Sequence, residues 1–99
     1  MTLSEIVYQI DGNLEVRTEG SVYRANLYDN TKTLVIVVKK EEDLDERSEH
    51  EATAIGKTSE EALINLTHLL KGSVIAHDFP LMWTTSTHSL RIPETLTPN

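Results

Sequence analysis

Gly56-Lys57-Thr58-Ser59-Glu60-Glu61-Ala62-Leu63 joins the end of an extended segment to an amphipathic helix, and this junction decides the fold. Thr58 has the side chain of an N-cap, and Glu61 stands three residues later, so the pair matches a capping box. Gly56 supplies the tight turn that lets a strand feed directly into that cap. Downstream, Ala62, Leu63, Leu66, Leu69 and Leu70 fall on a stripe about 120° wide, which suits a helix packed on a sheet. Ser59, Asn65, His68 and Lys71 face away, and Ile64 lies outside the stripe. Glu60 and Glu61 favour the N-terminal end of the helix dipole, Lys71 the C-terminal end, and Gly72 fits the position after the cap. The spacing predicts a helix over 59–71.

Upstream, Ile6, Tyr8 and Ile10 alternate on one face, as in a half-buried strand. Asp11-Gly12-Asn13 signals a turn, and Leu14 to Thr18 resumes the alternation, which predicts a β-hairpin over 5–18. Gly20 marks a break or bulge before a strand at Ser21–Tyr28, with Tyr23, Ala25 and Leu27 on one face. Asp29-Asn30-Thr31-Lys32 reads as a turn into Thr33–Lys40. There the run Leu34-Val35-Ile36-Val37-Val38 is continuously apolar and β-branched, which predicts a central strand covered on both faces. Glu51–Ile55 is a shorter strand. After the helix, Ser73–Ala76 reads as a short strand, Asp78-Phe79-Pro80 as a turn, and Leu81–Ile92 as strand-like, with Trp83 inside it. The expected fold is α+β: an antiparallel sheet of four to five strands against one main helix, a β-hairpin followed by β-β-β-α. It forms one domain over 1–92 with a flexible tail at 93–99.

The chain has 99 residues and a formal net charge of −7, and the placement of that charge is uneven. Residues 41–51 hold seven acids against the single base Arg47. Clustered carboxylates repel polyanions, which excludes direct nucleic-acid binding and anionic membranes there. The run is either a solvated loop or a docking surface for a basic protein partner, with Glu41, Glu42, Asp43, Asp45, Glu46 and Glu49 as its contact residues. Cysteine is absent, which removes disulfides, thiolate nucleophiles and Cys-based metal centres and suits a cytoplasmic protein. Met1-Thr-Leu-Ser-Glu lacks the pattern of a secretory signal, and Leu34–Val38 is too short to span a membrane.

Catalytic patterns are not met. His50-Glu51 starts like a zinc-protease motif but lacks the second histidine, and no serine sits in a nucleophile elbow. Asp43-Leu44-Asp45 begins like a calcium loop, yet Arg47 and Ser48 break its register. The four glycines form no phosphate cradle, so neither a metal nor a cofactor is expected. His77, Asp78 and His88 are the residues an enzyme would use, although His77-Asp78 also fits a turn-capping pair. His68 reads as a surface residue of the helix.

Two resemblances follow from the Gly56–Leu63 motif. A β-β-β-α order with a G-x-T-x-x-E-A start resembles a double-stranded-RNA-binding domain, but such domains need lysines where Glu60 and Glu61 stand. Residues 21–71 more closely resemble the N-terminal domain of HicB-like antitoxins, in which a three-stranded sheet leads through a G-x-T-x-E-E-A-L segment into the packing helix. Glu51 and Ala52 stand where that family has a Gly-Cys pair, and no DNA-binding motif follows the helix. The resemblance implies a sheet-plus-helix architecture and a protein-binding habit with self-association, and no catalytic residue. The expectation is therefore a small acidic module, not an enzyme, that acts by stoichiometric binding. It would serve as an antitoxin-like or phage-type regulator of a basic protein, and an open sheet edge would suit a homodimer. The alternatives are a nucleic-acid mimic occupying an enzyme's cleft and a small enzyme using His77, Asp78 or His88.

Overall fold

The computed structural model describes residues 1–30, 34–37, 51–80 and 85–99. Its elements run α1 (Leu3–Gln9), β1 (Gly12–Glu19), β2 (Val22–Asp29), β3 (Leu34–Val37), β4 (Glu51–Gly56), α2 (Ser59–Leu70), β5 (Val74–Pro80) and β6 (Thr85–Arg91). The fold is α+β. Its described strands form two three-stranded antiparallel sheets, β1-β2-β4 and β3-β5-β6, where a single sheet of four to five strands was expected.

The first correction is at the N-terminus, where the expected strand over 5–10 is the helix α1. Thr2 caps it, its Oγ1 accepting from the Glu5 N–H at 3.2 Å. Leu3, Ile6 and Ile10 are buried, Val7 packs against the same core, and Tyr8 is 88% exposed. A strand would have turned Tyr8 to the same side as Ile6 and Ile10; the helical period turns it out. Asp11 closes the helix in the left-handed region at φ 51°, a conformation that Asp tolerates better than most residues.

The hairpin therefore sits one element later, between β1 and β2. Their register runs without interruption from Gly12↔Asp29 to Glu19↔Val22. Gly20-Ser21 is the two-residue turn, with Gly20 at φ +63°. A positive φ at the first central residue alone is the II′ arrangement, for which glycine is the natural choice. Asp29, expected in a turn, ends β2 and is buried.

On the inner face of the first sheet, Ala25 and Leu27 of β2 and Ala52 of β4 are buried, flanked by Leu14, Val16, Tyr23 and Ala54. Helix α2 lies on this face, burying Ala62, Leu66, Thr67 and Leu70, with Leu63 and Leu69 partly buried. The small alanines of β2 and β4 let the helix approach closely. Thr58 Oγ1 accepts from the Glu61 N–H at 3.1 Å, which forms the Thr58 half of the box. Thr67 is tolerated inside because its hydroxyl donates back to the Leu63 carbonyl at 2.8 Å. Gly56 is buried against the start of α2 and does not have a positive φ, so space rather than conformation requires glycine there. The helix ends in a type II turn: Lys71 at φ −53°, ψ 130°, Gly72 at φ +69°, and the Ser73 N–H donating to the Leu70 carbonyl at 3.0 Å.

The second sheet departs from expectation in two places, and the C-terminal segment in a third. Strand β5 continues through Asp78-Phe79-Pro80, where a turn was expected, because Thr85, Ser86 and Thr87 of β6 pair with those residues. Strand β3, expected to be central, is the outer strand of its sheet and lies beside β4 where the two sheets meet. The segment 93–99, expected to be a flexible tail, is docked. Leu96 is 2% exposed within the core, Thr2 and Thr97 form a parallel bridge, and Thr97 exchanges backbone bonds with Leu3 (3.2 Å) and Met1 (3.0 Å). Ile92 and Ile75 join the same cluster, so one core serves the helices, both sheets and the C-terminal segment.

Candidate functional site

The six acids expected to contact a partner, Glu41, Glu42, Asp43, Asp45, Glu46 and Glu49, lie outside the described residues. The ends of their segment are placed. It leaves β3 after Val37, which pairs with Val74, and enters β4 at Glu51, which pairs with Tyr28. The acidic run is thus the connection from the second sheet to the first, delivered to the end of the first sheet far from Gly56 and the α2 cap.

That first sheet has a second face, turned away from α2. Alternation along each strand turns Asn13, Glu15, Arg17 and Glu19 of β1, Val22, Arg24, Asn26 and Tyr28 of β2, and Thr53 and Ile55 of β4 away from α2. All of these are half-buried or exposed. The register sets them in rows: Arg17–Arg24–Ile55, then Glu15–Asn26–Thr53. Like charges directly opposite repel, and the acids of β1 relieve this. Glu19 grips Arg24 with both oxygens, at 2.5 Å to Nε and 2.9 Å to Nη2, and Glu15 lies 3.8 Å from Arg17. Thr53 Oγ1 donates to Asn26 Oδ1 at 2.6 Å. At the far end Asn13 Nδ2 donates to Asn30 Oδ1, tying β1 to the start of the next connection. Two acids and two bases leave this face locally neutral, in contrast to the adjoining run. Ile55 is 53% exposed, and the Asn65 side chain donates to its carbonyl at 2.8 Å, fastening α2 to the β4 backbone. Ile64, outside the helix stripe as its spacing indicated, is 44% exposed.

The histidines separate as follows. His68 is exposed on α2, as its position in the helical wheel indicated, and His50 lies outside the described residues. His77 and His88 stand directly opposite each other on β5 and β6, a pairing that their sequence separation hides. Asp78 pairs with Thr87 in the same register. Trp83 and Met82 lie outside the described residues.

Sequence reasoning did not find the Arg17–Arg24 row or the Glu19–Arg24 fork. Both depend on the β1–β2 register, and the signal for that register was Gly20 followed by Ser21. No described helix is long and apolar enough to cross a membrane. No protein-family model, curated protein or solved structure matches this chain.

Proposed function

We propose that the chain is a small protein-binding module that acts stoichiometrically on a partner with a basic surface, as an antitoxin-like or phage-type regulator would. Glu41, Glu42, Asp43, Asp45, Glu46 and Glu49 are its contact residues. One observation carries this reading: residues 41–51 hold seven acids against one base, a net charge of −6 in a chain whose total is −7. Such a concentrated field steers a cationic partner and accelerates encounter more than it tightens the final complex.

The test is a pull-down from the source cell's extract at low and high salt. Wild type is set beside a variant carrying Glu41→Gln, Glu42→Gln, Asp43→Asn and Glu46→Gln. Capture by the wild type should fall with salt, and the variant should capture roughly tenfold less at low salt. Equal capture by the two proteins would end the proposal. Displacement of the captured partner by a short DNA or RNA duplex would instead identify nucleic-acid mimicry.

A further inference from the structure

In the first sheet β1 pairs only with β2, and no described strand pairs with its other side. Edge strands are normally blunted by brevity, proline, charged side chains, a bulge, or a helix or loop laid over them. Strand β1 has eight residues, Gly12-Asn13-Leu14-Glu15-Val16-Arg17-Thr18-Glu19, with no proline, lysine or break in register. Leu14 and Val16 face the core and yet remain partly exposed. Helix α1, which packs beside β1, leaves Tyr8 88% exposed.

The edge has a definite polarity. In a two-residue hairpin the closing pair Glu19–Val22 is hydrogen-bonded, and along an antiparallel ladder bonded pairs alternate. Arg17, Glu15 and Asn13 are then bonded to β2, and the series ends at Asp11, whose carbonyl accepts from the Asn30 N–H at 3.4 Å. The backbone groups of Gly12, Leu14, Val16 and Thr18 therefore point outward.

From this we infer that β1 pairs antiparallel with β1 of a second copy of this chain, across a two-fold axis at Val16. In that register Leu14 meets Thr18, Val16 meets Val16, and Thr18 meets Leu14, so the outward backbone groups of these three residues find partners. Glu15 meets Arg17 and Arg17 meets Glu15, with Cβ atoms about 4.5–5.5 Å apart. Shifting by one step in either direction sets Glu15 against Glu15, or Arg17 against Arg17 and Glu15 against Glu19. The alternating charges thus select one self-complementary register, which makes a continuous six-stranded sheet of two chains.

The test is sedimentation equilibrium on the full chain over about a hundredfold dilution. Wild type should dimerise. Glu15→Arg and Arg17→Glu, each alone, should weaken the dimer at least about tenfold, and the double exchange should restore it. Thr18→Pro, which removes an outward N–H and leaves the β1–β2 bonds intact, should also weaken it, with far-UV circular dichroism checking the fold of each variant. A wild type that stays monomeric at its highest soluble concentration overturns the inference. A dimer indifferent to both charge reversals and to Thr18→Pro overturns it equally.

Discussion

Replacing Gly56 with alanine adds one methyl group at a place that has no room for it. The new Cβ would lie 2.4 Å from the Ala62 nitrogen, 2.7 Å from the Glu61 carbonyl carbon and 2.9 Å from the Ala62 Cα. Non-bonded heavy atoms rest roughly 3.5–4.0 Å apart, so the first turn of α2 must retreat by about 1 Å. The obstacle is backbone, which cannot rotate aside as a side chain can. Ala62 and Leu66, both 0% exposed, would be drawn off the sheet with it. Overpacking of a core costs about 1–3 kcal/mol, and the loosened contacts of Leu66 and Leu70 take Gly56→Ala to the top of that range or slightly beyond, about 3–4 kcal/mol. For a domain of this size the melting temperature should fall by about 15–25 °C. Urea unfolding followed by circular dichroism measures the loss directly. Gly20→Ala is the comparison: nothing lies within 4 Å of its Cβ, but φ is +63°, so only the backbone is strained, at about 1–2 kcal/mol. If Gly56→Ala stays within about 1 kcal/mol of wild type, or Gly20→Ala is the more damaging change, α2 does not seat on Gly56 as described.

Three further outcomes are expected. Thr58→Ala should cost about 1 kcal/mol in urea unfolding through loss of the α2 cap, with Glu61→Ala milder because the Thr58 oxygen still accepts the backbone N–H. Tyr8→Lys should shift stability by less than about 0.5 kcal/mol while Ile6→Ala costs about 3 kcal/mol, a contrast that a strand at 5–10 would not produce. Leu96→Ala should cost about 3 kcal/mol by thermal or urea unfolding, and a negligible effect would return residues 93–99 to the status of a loose tail.

Helix α2 was legible because its signals are local and agree: a cap, a period and a glycine at each end. Helix α1 carried the same cap signal, Thr2-x-x-Glu5, and the apolar spacing Leu3, Ile6, Val7, Ile10. Two of those residues, with Tyr8 between them, also satisfy a strand's alternation. Over so short a span the two periods overlap, and the cap was the feature that separated them. Gly20 was visible as a break, but its role as the hairpin turn depended on first placing α1. The strand partners were harder still. Strand β3 bypasses its chain neighbours β2 and β4 to pair with β5, and no local residue pattern states which strand a neighbour will choose. Proline at position 80 and aspartate at 78 suggested a turn, yet pairing with β6 holds both in the ladder. The acidic contact residues stand out in composition alone, whereas the Arg17–Arg24 row appears only once β1 and β2 are aligned.

The pairing of Thr2 with Thr97 has a mechanical consequence. The two short runs point the same way, and Thr97 is bonded both to Leu3 and to Met1. Tension applied between the two ends would slide one run along the other, so both bonds bear load together rather than opening in turn. Stretched in an optical trap, the molecule should hold at this clasp and then yield in one rip, with α1 and the Leu96 plug pulled out together.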